Sequence, residues 1–320
     1  MNIGILGSGF IVDVFVKNSR MYKDFNLYGI WGRHEEKIRQ FEGFELYTTN
    51  VDELLNDSNI DVIYVALPNS LHYEYALKAL KAKKHVLLEK PFCTSYSQAK
   101  KLVDYAKKNH LFLYETCMTP HNPNYQKIKK KALKLGEIKM IDINFSQFSR
   151  RYLRFKKGET LPAFDYKLAG GALMDLGVYS IHYVVGIFGL PLKTIYHPNV
   201  ERNVDTSGVL ILDYGKFKAT LISCKDNGVS SYALIQGDKG YIRCNSSTSR
   251  CSSFDIVMND GKTKSLVSEN KEFAGWKTMY GEFVKLYKNK NYKKCYEYLN
   301  ETLLVQKVLD SARQSAKLKF

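Results

Sequence analysis

The apolar residues of this chain fall into two rhythms. Up to about residue 118 they come as short continuous runs, at 2–7, 25–31, 61–67, 86–88 and 111–115, with helix-spaced segments such as 95–109 between them. A continuous apolar run reads as a strand buried on both faces, and alternation of such strands with helices predicts a parallel sheet covered on both sides. After Thr119-Pro120-His121-Asn122-Pro123 the rhythm changes. A helix at 125–134 precedes an alternating strand at 138–148. Further strands are expected at 209–222, 231–235, 240–243 and 254–258, and helices at 171–188, 278–288 and 296–318. Strands that follow one another with few helices between them predict an open, mostly antiparallel sheet. The expectation is two domains, α/β over residues 1–118 and α+β over 119–320, with no low-complexity linker between them.

The ends of the predicted strands carry the first domain's chemistry, because an open parallel sheet binds its ligands at the carboxyl edge. Gly7-Ser8-Gly9-Phe10-Ile11-Val12 follows the first strand and opens a helix. Gly7 suits a tight turn, Gly9 lets backbone approach a pyrophosphate, and the helix N-terminus offers N–H groups. This is most of a dinucleotide fingerprint of a Rossmann-type domain, with Val12 where a third small residue is usual. A tight structural turn is the alternative. Gly32-Arg33-His34 follows the second strand with no carboxylate for the ribose hydroxyls, and Lys37 lies one helical turn on. A planar cation there suits a phosphate, the pattern of NADP before NAD. An exposed loop arginine beside Glu35 and Glu36 is the other reading. Pro68-Asn69-Ser70-Leu71-His72 turns the third strand into a helix, and Glu89-Lys90-Pro91 ends the fourth. Pro91 fixes its own φ and biases Lys90 away from helical geometry, so an ammonium stands on a rigid corner where it can hold a hydroxyl or tune a neighbour. A lysine that simply reaches water is the plainer reading.

Composition narrows the class without naming it. The 320 residues, 45% hydrophobic and 25% charged, suit a globular chain with two sizeable cores. The longest apolar stretch, 179–190, is broken by His182, Tyr183 and glycines, so no membrane span is expected. Residues 1–6 read as a strand and not a signal peptide, which points to the cytoplasm. Six cysteines, at 93, 117, 224, 244, 251 and 295, lack metal-binding or disulfide spacing, so no metal is expected. Net charge is +16. Its lysine-rich stretches, 127–139 and 285–294, have helix-like apolar spacing and no nucleic-acid motif, which predicts solvated helix faces and no nucleic-acid partner. The same charge attracts an anionic cofactor or substrate.

In the second domain, Gly170-Gly171-Ala172-Leu173-Met174-Asp175-Leu176-Gly177-Val178-Tyr179-Ser180-Ile181-His182 places Asp175, Tyr179 and His182 at i, i+4 and i+7. On one α-helix all three share a face, and the preceding glycines let a ligand or another backbone come close. A helix with a capped start and a satisfied polar face fits as well as a site does.

Taken in order, Gly7-x-Gly9, Pro68-Asn69-x-x-His72, Glu89-Lys90-Pro91, 170–179, Gly237-Asp238-Lys239-Gly240 and a last helix with Ser311-Ala312-Arg313 resemble the Gfo/Idh/MocA family over nearly the whole length. The resemblance implies a Rossmann domain, an α/β domain whose open sheet forms homodimers or higher homo-oligomers, and hydride transfer with a nicotinamide cofactor. It implies that Lys90 contacts substrate and cofactor and that Asp175 places the reacting carbinol. Tyr179 stands where many members carry a histidine acid/base, which resembles the branch of glucose–fructose oxidoreductase and the dihydrodiol dehydrogenases. His182 replaces an acid common among inositol dehydrogenases, which argues against an inositol. The cofactor set it implies is Gly7, Ser8, Gly9, Phe10, Ile11, Gly32, Arg33, Leu67, Pro68, Asn69, His72, Glu89 and Lys90.

The chemistry agrees. Hydride leaves an alcohol carbon only as the hydroxyl proton is taken. A tyrosine, with an ordinary pKa near ~10, needs an ammonium such as Lys90 to favour its phenolate. One departure is Pro120, where the family often has an arginine; that contact is missing or is supplied by Arg150, Arg151, Tyr152 or Arg154 on the loop after the strand at 138–148, with His182 a further candidate. Solvated loop cations are the plainer reading of those arginines. The expected enzyme is an NAD(P)-dependent dehydrogenase or reductase of CH–OH groups on a small sugar, polyol or diol, with NADP preferred. The alternatives are a phosphorylated or nucleotide-linked sugar substrate, and a catalytically silent dinucleotide-binding regulator.

Overall fold

The computed structural model describes residues 1–261, 263–267 and 274–319. The chain forms two compact units, Met1–Thr116 with Tyr280–Leu303, and Cys117–Met279 with Leu304–Phe320.

The first unit alternates β1 (Asn2–Leu6), α1 (Phe10–Ser19), β2 (Asn26–Trp31), α2 (Glu35–Ile38), β3 (Leu46–Thr48), α3 (Val51–Asn56), β4 (Val62–Val65), α4 (His72–Lys81), β5 (His85–Glu89), α5 (Tyr96–Lys108) and β6 (Leu113–Thr116). Its sheet has the order β3-β2-β1-β4-β5-β6, and every pairing is parallel. The strand order reverses between β1 and β4, the switch point at which such sheets open a ligand crevice. Ile3, Ile5, Val62, Ile63, Tyr64, Val86, Leu87 and Leu88 are wholly buried, as continuous apolar runs require when both faces are covered. Part of that cover comes from far along the chain. The Tyr280 ring meets Phe15 edge-on at 5.3 Å, Phe283 lies 5.4 Å from Tyr114, and Tyr292 stacks on Phe112 at 4.3 Å. Tyr280–Leu303 thus groups with Met1–Thr116, and Leu304–Phe320 with Cys117–Met279.

The second unit contains α6 (Pro123–Ala132), β7 (Ile138–Ser146), α7 (Arg150–Lys156), a π-turn (Leu173–Gly177) and α8 (Val178–Phe188). These are followed by β8 (Lys193–Glu201), β9 (Val204–Asp213), β10 (Lys218–Cys224), β11 (Tyr232–Gly237), β12 (Gly240–Cys244), β13 (Ser253–Met258) and β14 (Thr263–Val267). The eight-stranded sheet runs β14-β13-β12-β11-β7-β10-β9-β8, parallel between β7 and β10 and antiparallel elsewhere. Of the last helices, α9 (Ala274–Lys288) and α10 (Tyr292–Ser315), the end of α10 joins this unit's core through Val305, Val308, Leu309 and Ala312.

One local reading changes, and one strand is added. The single strand expected at 209–222 is a hairpin, β9 and β10, broken at Gly215, whose φ of +79° makes the turn. β8 carries Pro198, which weakens a strand pattern in sequence but is tolerated because β8 lies at the edge of the sheet. The stretch Tyr166–Phe188 is apolar and long enough to cross a membrane on composition, and 72% of its most apolar window is buried inside the fold.

Candidate active site

In the first unit the site is built on strand ends. Gly7 leaves β1 with φ +128°, its N–H bonds Trp31 O at 2.9 Å, and a Cβ there would stand 2.4 Å from Ala66 O, so only glycine closes this turn. Gly9 caps α1 with open space where a Cβ would stand, half-buried Ser8 and Ile11 flank it, and Phe10 is exposed. In the first turn of α1 the Val12 N–H donates to Gly9 O at 3.0 Å, and the N–H groups ahead of it have no residue four positions back within the helix to accept them. A turn that admits no side chain at Gly7 and leaves room at Gly9 suits a pyrophosphate. Val12 is wholly buried, so the helix tolerates it at the third fingerprint position. At the end of β2 a Cβ on Gly32 would stand 2.6 Å from Ile38 Cγ2. Arg33 beside it is exposed. Glu35 pairs with Arg39 at 3.0 Å, and Glu36 lies 3.6 Å from His34, an ion pair when that imidazole is protonated. These residues fit a dinucleotide with a 2′-phosphate.

Leu67, Pro68 and Asn69 form the turn after β4, all half-buried, and His72 opens α4 fully buried. His72 Nδ1 lies 2.9 Å from Pro91 O and Nε2 lies 2.8 Å from Leu67 O. The ring thus ties the β4–α4 turn to the corner after β5. Two carbonyl acceptors favour a doubly protonated ring, but burial outweighs them and, with the Lys90 charge, holds the His72 pKa below its usual value. Glu89, 4% exposed, accepts hydrogen bonds at Oε1 from Tyr64 (2.6 Å) and Thr116 (2.7 Å), and burial raises its pKa. Its carboxyl is thereby committed inward, while half-buried Lys90 follows at the strand's carboxyl end; the Lys90–Pro91 peptide is cis.

In the second unit the polar cluster rests on the π-turn. Asp175 and Tyr179 are half-buried, whereas His182 is 1% exposed. The shared face expected of the three ends after the first turn, because α8 is buried all round from Ser180 to Val185. Tyr125 donates from its hydroxyl to His182 O at 3.2 Å inside that core. Tyr179 packs its ring 5.9 Å from Phe145. Asp175 Oδ2 lies 2.8 Å from Lys225 Nζ, and the Leu173 N–H donates to Asp205 Oδ2 at 2.7 Å. Asp205, 2% exposed, also accepts from Tyr196 Oη at 2.8 Å, and burial pushes its carboxyl up to about 6.

Lys225 and Asp205 carry no sequence motif. Asp205 lies ahead of the strand expected at 209–222 and Lys225 just beyond it, so neither was marked as a buried charge. Arg150 and Arg151 do not lie on a loop. They open α7 and are exposed, Arg154 pairs with Glu159, and Tyr152 donates to Glu201 at 2.6 Å. Phe155 is the buried residue of this helix and stacks on Phe164 at 5.1 Å. Among the described residues no cluster of histidine, cysteine or carboxylates could hold a metal ion.

Residues 1–116 match the model of an oxidoreductase family with an NAD-binding Rossmann fold, and residues 126–243 match the GFO/IDH/MocA C-terminal domain. The chain is 29% identical over 318 residues to the scyllo-inositol 2-dehydrogenase (NADP(+)) IolU of Bacillus subtilis, covering 98% of this chain and 96% of that one. It is 30% identical over 256 residues to a trans-1,2-dihydrobenzene-1,2-diol dehydrogenase of Xenopus tropicalis, covering 75% and 74%. A crystal structure of a 3-ketoreductase from Actinomadura kijaniata, with NADP and TDP-benzene, superposes with TM-score 0.86 at 22% identity over 98% of this chain and 97% of that one, a likeness of fold. The chain is thus an oxidoreductase with an NAD-binding Rossmann domain. It belongs to the Gfo/Idh/MocA family.

Proposed function

We propose that the protein oxidises a secondary alcohol of a small polyol, sugar or diol, or reduces the matching ketone, with NADP as its preferred cofactor. One observation carries this reading: Asp175 and Tyr179 stand half-exposed at the start of a helix that is otherwise buried as far as Val185. Lys225 lies 2.8 Å from the Asp175 carboxylate and Phe145 packs beside the Tyr179 ring, so the pair offers a carboxylate and a phenol one turn apart. When bound, the nicotinamide supplies or accepts the hydride. Tyr179 takes the hydroxyl proton during oxidation and returns it during reduction. Lys90 favours the phenolate through its charge, and Asp175 accepts hydrogen bonds from substrate hydroxyls and so orients the carbinol. Gly7, Ser8, Gly9, Phe10 and Ile11 hold the pyrophosphate, and Arg33 holds the 2′-phosphate.

NADP preference is supported by Arg33 and by the NADP named for the Bacillus subtilis relative. That relative also keeps inositols among the substrates to be tried, although His182 argued against them. The second reading, a phosphorylated or nucleotide-linked sugar, has the exposed Arg150 and Arg151 in its favour. The test is NADPH consumption and NADP⁺ reduction over inositols, sugars, diols, dicarbonyls and nucleotide-linked keto-sugars. Turnover of a polyol, sugar or diol supports the first reading, and turnover of the charged sugars alone supports the second. NADPH binding without any turnover makes the protein a silent dinucleotide-binding regulator.

The eight-stranded sheet leaves Met140 (41% exposed) and Tyr241 (37%) on its uncovered face, which supports a homodimer through that face. A monomer by light scattering at working concentration overturns it. Six buried free thiols fit a reducing, cytoplasmic setting, which cell fractionation tests.

A further inference from the structure

Lys225 follows β10, and its side chain is 3% exposed while that of its partner Asp175 is 37% exposed. An ammonium has three protons to place, and Lys225 has three places for them. Asp175 Oδ2 lies at 2.8 Å, Ala163 O accepts at 2.7 Å, and the Phe164 ring centre lies 4.4 Å away. The backbone is pinned on both sides: its N–H donates to Thr206 O at 2.8 Å, and its carbonyl accepts from the Ser149 N–H at 2.9 Å. The buried Asp205 adds a favourable charge. Enclosing an ammonium is costly, and a buried ion pair replaced as a whole by apolar groups is often no less stable. The pair is also lopsided. Its cation is locked inside the fold, and its anion is more than a third exposed.

We propose that Lys225 is a positioning residue for Asp175, fixing the charge and direction of the carboxylate that receives the substrate's hydroxyls. This rests on the reading of Asp175 as the substrate-placing group. The ammonium, 2.8 Å from Oδ2, holds the ionised carboxylate by charge and by hydrogen bond, so Asp175 presents acceptors to the substrate in one fixed direction. Without it the carboxylate loses both its anchor and its counter-charge. The Gly170-Gly171 turn sets where Asp175 starts, and Lys225 sets where its carboxylate ends.

The test uses the full chain as wild type, Lys225→Met, Lys225→Gln, Asp175→Asn and the Asp175→Asn/Lys225→Met double variant. Scyllo-inositol is the first substrate tried, followed by whichever diol or polyol the wild type turns over. Lys225→Met keeps the stem, and Lys225→Gln also keeps a donor for Ala163 O. Both are expected to raise KM roughly tenfold, with kcat changed much less and NADPH affinity unchanged. The acid limb of the kcat/KM profile, and the carboxyl ¹³C titration assigned to Asp175 by its loss in Asp175→Asn, should move to higher pH, because the carboxylate loses an ammonium 2.8 Å away. Because the effect runs through Asp175, Lys225→Met should add nothing to KM in the Asp175→Asn background. Equal losses in both backgrounds, an unmoved Asp175 titration, or failure of both Lys225 variants to fold would overturn the proposal in favour of a purely structural lysine. An unchanged KM in Asp175→Asn instead removes the reading of Asp175 itself.

Discussion

Asp205 lies directly under Gly171. A Cβ on Gly171 would stand 1.9 Å from Asp205 Oδ1, and the other carboxyl oxygen accepts the 2.7 Å hydrogen bond from Leu173 that starts the π-turn. The carboxylate from β9 therefore sets both the close approach and the helix start from which Asp175 and Tyr179 project. Gly171 also holds φ +120°, where L side chains are strained. Gly171→Ala should lose about 2–4 kcal/mol in denaturant unfolding and weaken substrate binding, with NADPH affinity retained. A loss within the ~0.5 kcal/mol typical of surface changes would show that the turn relaxes freely.

Asp205 should also leave its mark on stability against pH. Its folded pKa of about 6 lies above the ordinary value near ~3.9, so the folded state binds the extra proton between those limits. Stability from this group is full below the ordinary value and is lost as pH rises through the folded one. Asp205→Asn has no proton to lose, and its amide oxygen can take over the two hydrogen bonds now made at Oδ2. The stability of the wild type relative to Asp205→Asn should then fall by about 2–3 kcal/mol between pH 4 and pH 7.5. A difference that stays flat across that range would mean that Asp205 titrates normally.

What the sequence disclosed follows from distance along the chain. The turn at Gly7-Ser8-Gly9, the missing acid at Gly32-Arg33 and the corner at Glu89-Lys90-Pro91 are local, so residue type and position after a strand suffice to read them. Asp175 and Tyr179 were legible through their spacing, although the π-turn was not. Lys225 and Asp205 were not legible because their partners lie on other elements, and only sheet pairing brings β9 and β10 to the π-turn. The Tyr280–Leu303 segment had readable helices, but an amphipathic pattern does not say which core receives it. The arginines of α7 looked like a loop because the buried contact of Phe155 with Phe164 is equally invisible in sequence.

Arg33 gives the cofactor preference a direct test. Glu35 is paired with Arg39 and Arg33 stands exposed after β2, where its guanidinium can meet a phosphate. Arg33→Ala should weaken NADPH binding roughly 10–100-fold, the range of a charge-assisted hydrogen bond, and leave NADH nearly unaffected. Fluorescence titration with both nucleotides measures it. Equal losses for the two, or a wild type that binds NADH more tightly, would remove the assignment.

Lys90 and Tyr179 are proposed to share one proton-transfer task, and parts that act as a unit are not additive. Tyr179→Phe removes only the phenolic oxygen and keeps the ring beside Phe145, so NADPH affinity should hold while turnover drops roughly 10²–10⁴-fold. Lys90→Met keeps the stem and deletes the charge. It should lower turnover and raise the alkaline pKa of the oxidation rate, because the phenolate loses its counter-charge. Lys90→Arg should not restore activity, since a planar fork replaces a compact ammonium poorly on a corner closed by Pro91. The double variant should be little worse than the poorer single one. Steady-state kinetics from pH 6 to 10 on all four proteins decides the matter. Additive losses would mean two separate roles, and a Tyr179→Phe enzyme near wild-type turnover would move the acid–base function off Tyr179. His182 is then a poor heir, because at 1% exposure it would have to act from inside the core of the second unit.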